Sequence, residues 1–155
     1  MNGHIEVISE EGVCTCFTFN IALGTSPQSQ LLAPKTPFSA AKILVIDDNS
    51  MNRAVVQSQL SHWGADVSEA ESGRHALEIL ADTRSRDQFE TVILDMAMPD
   101  MNGADLGRII RDNPDYNDLK LVMMTSVSTQ GDAKYFADIG FSAYFPKPAT
   151  VKDLI

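Results

Sequence analysis

From residue 42 onward, short apolar runs alternate with stretches of helical period, and this alternation is the tightest constraint the chain places on its fold. KILVID (42–47), ADVSEA (65–70), TVILD (91–95), KLVMMTS (120–126) and SAYFP (142–146) read as strands. Between them, Asn52 to Trp63, Gly73 to about Thr83, Ala104 to Arg111 and Asp132 to Ile139 read as helices, and Thr150 to Ile155 begins another. In the first, Val55, Val56, Gln59, Leu60 and Trp63 form the inward face, and Gly64 ends it. In the second, Ala76, Leu77, Ile79 and Leu80 face inward. Strands separated by helices imply a parallel α/β sheet covered on both faces. In such open sheets the working crevice lies at the carboxyl ends of the strands.

Those ends carry a coherent set of groups. The first strand closes on Asp47 and Asp48, the third on Asp95, the fourth on Thr125 and Ser126, and the fifth is followed by Lys147. Taken singly, an Asp after a strand is more often a helix cap, and a lone Lys more often a solvated charge. Taken together at four strand ends, they read as a site. Crowded carboxylates repel unless a cation neutralises them, and Mg²⁺ suits oxygen ligands and retained waters. Asp48 and Asp95 are the expected direct metal ligands, with the Ala97 carbonyl as a backbone ligand and Asp47 acting through a water. Asp95 is the expected nucleophile, forming an aspartyl phosphate. Lys147 and the Thr125 hydroxyl are expected to stabilise the phosphoryl oxygens, with help from the Ser126 amide.

The remaining sequence divides in two. Residues 1–23 read as a β-hairpin extension, with a turn at Glu11-Gly12 and Val13, Phe17, Phe19, Ile21 and Leu23 on one face. Residues 24–41 hold three prolines among Ser, Thr, Gln and Gly, and read as a linker. The domain boundaries are therefore placed at 1–23, 24–41 and 42–155.

Composition narrows the function. Among the 155 residues, 12 Lys and Arg face 21 Asp and Glu, for a net charge of -9, which argues against direct nucleic-acid binding. No apolar run approaches the ~18 residues of a spanning helix. No signal-peptide pattern opens the chain. Cys14 and Cys16 are too close for a relaxed disulfide and lack partners for a zinc site, so reduced thiols and a cytoplasmic setting are expected. A parent protein could still be membrane-bound.

Residues 42–155 resemble the receiver domain of response regulators and hybrid histidine kinases. The resemblance rests on ILVIDDNSMNR (43–53), VILDMAMPDMNG (92–103), VMMTS (122–126) and YFPKP (144–148), in that order. It implies a flavodoxin-like three-layer fold with a five-stranded parallel sheet in the order 2-1-3-4-5. It also implies Mg²⁺ dependence and a phosphohistidine donor, either a histidine kinase or a histidine phosphotransfer protein. Onward transfer to such a protein is a further implication. So is a switch in which Thr125 moves toward the phosphoryl group and Tyr144 changes rotamer. The Lys147–Pro148 bond matches a family position that is often cis. The final helix is short against the family pattern, so it is expected to be truncated.

GHIEVISEEGVCTCFTFNIAL (3–23) is similar to the last two strands of a histidine kinase ATPase domain, although Cys14 stands where glycine is usual. Without ATP-binding boxes ahead of it, the chain is not expected to act as an enzyme beyond its own phosphorylation and dephosphorylation. Ala97 and Val127 put apolar groups where a side chain could orient water, so slow self-dephosphorylation is expected. Two alternatives remain: a phosphatase-like hydrolase with an Asp nucleophile, and a docking-only receiver. A flavin-binding reading fits poorly, because DDNSMN is acidic where a phosphate-cradling loop would be glycine-rich.

Overall fold

A computed structural model of the chain describes residues 3–22, 41–82, 89–126 and 132–147. The chain separates into two compact units, Met1–Leu32 and Ala33–Ile155. The expected last helix, the Lys147–Pro148 bond, Val127 and most of the expected linker lie outside the described residues.

The first unit is an antiparallel hairpin of β1 (Gly3–Glu10) and β2 (Cys14–Ile21). Gly12 takes the positive φ of 78° that the turn requires. The register pairs Ile5 with Phe19 and Val7 with Phe17, which gathers the aromatic residues on one face. Val13 falls in the turn and so leaves the apolar face expected for it. Both strands are exposed along their length.

The second unit contains the parallel sheet. Its strands are β3 (Lys42–Ile46), β4 (Asp66–Ala70), β5 (Thr91–Asp95), β6 (Lys120–Thr125) and β7 (Ala143–Pro146), in the spatial order β4-β3-β5-β6-β7. Numbered within this unit, that is 2-1-3-4-5, the flavodoxin-like order expected from the sequence. The helices are α1 (Ser50–His62), α2 (Gly73–Ala81), α3 (Gly103–Asp112) and α4 (Asp132–Ile139). A short 3₁₀ turn, Pro114–Tyr116, has no counterpart in the sequence reading.

Side-chain parity divides the core. Leu44, Ile46, Val92, Leu94, Leu121 and Met123 point to one face, where Ala76 and Leu80 of α2, Leu106 and Ile110 of α3 and Phe136 of α4 meet them. Ile43, Val45, Ile93, Met124 and Phe145 point to the other, where Val56 and Leu60 of α1 and then Trp63 cover them. Val55, expected to face inward, is 48% exposed, because the buried stripe of α1 runs through 56, 60 and 63. Leu77 and Ile79 of α2 are half-buried against the larger cluster.

Helix starts are capped by the residues that also shape the rim. The Asn49 side chain accepts the N–H groups of Met51 and Asn52, starting α1 two residues earlier than its periodicity suggested. Ser72 caps α2 and Asn102 caps α3 in the same way. A β-carbon at Gly103 would collide with the carbonyl oxygen of Asp95, so α3 can begin this close to the end of β5 only with glycine there.

Candidate functional site

The parallel register delivers the predicted groups to one rim. β3 pairs with β5 through Ile46 and Leu94, leaving Asp47 and Asp95 as the next residues on adjacent strands. β5 pairs with β6, setting Asp95 beside Met124, one residue before Thr125. β6 pairs with β7, placing Thr125 opposite Pro146 and Lys147 just beyond it. The Lys147 N–H donates to the Thr125 carbonyl at 2.7 Å, extending the ladder by one rung into the site.

Asp47, Asp48 and Asp95 each present a carboxylate oxygen, and these oxygens all lie within 4.8 Å of one another. Asp47 and Asp95 are buried, while Asp48 is exposed at the rim. The Lys147 ammonium lies between the two buried acids, 2.6 Å from Asp47 Oδ2 and 2.9 Å from Asp95 Oδ1. Burial draws the Lys147 pKa down, but its contacts with Asp47 and then Asp95 outweigh that effect, so the pKa lies above the usual lysine value. The amine is therefore held as a cation between the acids.

Asp47 is nearly saturated with donors. Its Oδ1 accepts from the Asn49 N–H at 2.8 Å and from Asn52 Nδ2 at 3.3 Å. Its Oδ2 accepts from Asn52 Nδ2 at 3.2 Å and from Lys147. A carboxylate held this way suits a role through water better than direct coordination. Asp95 differs. Its Oδ1 is buried with the Lys147 ammonium 2.9 Å away, and it accepts no well-formed hydrogen bond among the described residues. A buried carboxylate oxygen beside two further carboxylates fits a hard divalent cation held by oxygen ligands.

The other expected participants fall nearby in sequence order. Thr125 is buried at the end of β6. Ser126 lines the same cavity as Asp47 and Lys147. Ala97 is exposed in the loop after β5. Tyr144 is half-buried, with its ring 5.7 Å from that of Phe136 and packed on the larger core cluster. The Asp95 side chain is only 4% exposed, with Lys147 lying against it.

Two residues that the sequence reading gave no role at the site also touch it. Asn52 reaches both oxygens of Asp47. Arg53 donates from Nη1 to the carbonyls of Asp47 and Asp48. Both belong to the first turn of α1, the turn adjoining the acidic loop, and that position is the only sequence signal that pointed to them.

No helix among the described residues is long and apolar enough to cross a membrane. Comparisons with known proteins agree with the geometry. Residues 43–155 match the family described as the response regulator receiver domain. The chain is 34% identical over 110 residues to a chemotaxis protein CheY homolog of Campylobacter jejuni, covering 70% of this chain and 82% of that one. It is 27% identical over 157 residues to the aerobic respiration control sensor protein ArcB of Escherichia coli, covering 99% of this chain but 20% of ArcB. Among solved structures, a response regulator receiver domain protein from Clostridium thermocellum superposes with a TM-score of 0.65 at 32% identity, covering 74% of this chain and 87% of that one. Chemotaxis protein CheY4 of Vibrio cholerae gives 0.66 at 26%, covering 75% and 93%. With the family match spanning most of its length and the five-stranded order in place, the chain belongs to the response regulator receiver domain family of two-component signalling.

Proposed function

We propose that this chain is a phosphoacceptor module that takes a phosphoryl group from a phosphohistidine onto Asp95 in a Mg²⁺-dependent reaction. The observation that carries this reading is the convergence of Asp47, Asp48, Asp95 and Lys147 at one rim of the sheet. An Asp95 carboxylate oxygen forms a bond to phosphorus as the bond from phosphorus to the donor imidazole nitrogen breaks, and the imidazole leaves with the electron pair and takes up a proton. Asp48 and Asp95, with the Ala97 carbonyl, would hold the cation, and Asp47 would act through a bound water. When bound, Mg²⁺ neutralises charge on the phosphoryl oxygens and the acids.

The chain's own groups supply the rest. Lys147 is already poised on Asp95 Oδ1, and moving the ammonium from the carboxylates to the incoming phosphoryl oxygens opens the nucleophile and preserves charge balance. The Thr125 hydroxyl, one strand away, donates to the same oxygens. A shift of Thr125 and Tyr144 would then favour one of two packings of the β6 and β7 edge, because the phosphoryl group contacts one of them better. Partners follow from the chemistry: a histidine kinase or histidine phosphotransfer protein as donor, and a histidine phosphotransfer protein as acceptor. The module catalyses only its own modification.

The test is incubation with acetyl phosphate and Mg²⁺ followed by intact mass. Wild type gains one phosphoryl mass and Asp95→Asn gains none. An unchanged wild-type mass sinks the assignment and leaves a docking-only role, and an equal gain in the variant moves the acceptor away from Asp95.

The same reading extends to the chain's origin. The likeness to ArcB runs through the hairpin as well as the receiver and spans about a fifth of that sensor protein. This supports a piece of a hybrid histidine kinase, with residues 1–23 as the end of an ATPase domain and 24–41 as the linker. An antibody against the receiver, used on the source cells, would then mark a band far above 16.9 kDa. A single band at that mass would contradict it.

A further inference from the structure

The acidic loop between β3 and α1 is gripped from below by a side chain that reaches none of its carboxylates. Arg53 Nη1 donates to the Asp47 carbonyl at 2.7 Å and to the Asp48 carbonyl at 3.3 Å. Its Nε donates to Glu69 Oε2 at 3.1 Å, and the Arg53 side chain is only 14% exposed. Glu69 lies on β4, opposite Val45 of β3, so it is anchored to the strand that leads into the loop. The loop backbone is tied to the same edge strand by the Asp47 N–H, which donates to the Ala70 carbonyl at 3.3 Å.

We propose that Arg53, oriented by Glu69, is a positioning residue that fixes the backbone of Asp47 and Asp48 and so sets the cation affinity of the acidic cluster. The inference rests on reading that cluster as a divalent-cation site. Two adjacent carbonyls carry the two acids, and rotating either peptide turns its side chain away from Asp95. A planar guanidinium can hold both carbonyls and a carboxylate at once, which an ammonium cannot do with fixed geometry. The simpler account is a partly exposed ion pair between Arg53 and Glu69, and such pairs contribute little. That account leaves the two carbonyl contacts without a purpose and predicts no effect on cation binding.

The experiment measures Mg²⁺ binding to the full chain by titration calorimetry, repeated with Mn²⁺ by electron paramagnetic resonance. Arg53→Ala is expected to weaken both by roughly ten-fold, the scale typical of groups that orient metal ligands without touching the metal. Arg53→Lys should fall between that variant and wild type. Glu69→Gln should weaken binding in the same direction by a smaller factor. Should Arg53→Ala prove unfolded by circular dichroism, Arg53→Lys and Glu69→Gln decide the matter. Arg111→Ala, placed at the opposite end of α3, controls for loss of stability and should leave affinity unchanged. Affinities of the folded Arg53 and Glu69 variants within about two-fold of wild type, with Asp48→Asn strongly impaired, would overturn the clamp and keep the cation site. No effect of Asp48→Asn would instead show that the cation reading itself is at fault.

Discussion

Lys147 reaches back 100 residues to Asp47, with Nζ 2.6 Å from Oδ2, and the same ammonium rests 2.9 Å from Asp95. One cation therefore compensates two buried acids. Replacing it with methionine leaves those acids crowded and uncompensated. Lys147→Met is expected to lose about 3 kcal/mol in urea unfolding with a chelator present, the scale for breaking a buried ion pair. Mg²⁺ should restore much of that loss, because a second cation can take the vacated role. A variant as stable as wild type in chelator would show that the acids are not crowded.

Gly103 makes a second case. A β-carbon there meets the Asp95 carbonyl, the Asp95 carbonyl carbon at 3.0 Å and the Met123 methyl at 3.1 Å. Backbone cannot yield as a flexible side chain can. Gly103→Ala is expected to cost about 1–3 kcal/mol in urea unfolding, as overpacking commonly does. It should also slow labelling of the chain by acetyl phosphate under the proposed function, because the strand end that carries Asp95 must shift. Unchanged stability and labelling together would show that the contact relaxes freely.

Arg111 holds the far end of the sheet. Its guanidinium donates to the carbonyls of Gly140, Tyr116 and Leu119, joining α3, the 3₁₀ turn and the end of α4. Burial lowers its pKa from the usual arginine value. Arg111→Ala removes one donor from each of these carbonyls, with Tyr116 keeping the Leu119 N–H, and is expected to cost about 1–3 kcal/mol by thermal or urea unfolding. Loss of less than about 0.5 kcal/mol, the range of an ordinary surface change, would contradict the clamp.

Ala97 lies exposed two residues after Asp95 and offers no polar side chain to a water attacking the aspartyl phosphate. The phosphorylated domain is therefore expected to lose its phosphoryl group slowly, over minutes or longer by intact mass. Ala97→Asn should shorten that lifetime by supplying a hydrogen-bonding group. A wild-type half-life of seconds would refute the argument.

Much of this architecture was legible before any coordinates. β5 and α4 fall at the residues expected, because a run such as Val92-Ile93-Leu94 ending in Asp95 leaves little room for another reading. The gathering of Asp47, Asp48, Asp95 and Lys147 follows from strand order, which the alternation and the motifs together imply. Other features were not legible, for definite reasons. Lys147 could be assigned to phosphoryl oxygens, but its resting place on Asp47 depends on distances across two strands. Pro114–Tyr116 is one short turn and has no period to detect. Arg53 looks like any charged residue on a helix, and its targets are main-chain carbonyls, which no residue type announces.

The unequal division of the core has a spectroscopic consequence. The chain's one tryptophan, Trp63, follows α1 and is 9% exposed in the smaller cluster. It stands a full helix length, about 20 Å at 1.5 Å per residue, from the Asn49 end that adjoins the acids. Its emission therefore reports loosening of one layer, so a change in fluorescence on adding a cation would signal movement carried through the layer that Trp63 shares with Met124 and Phe145.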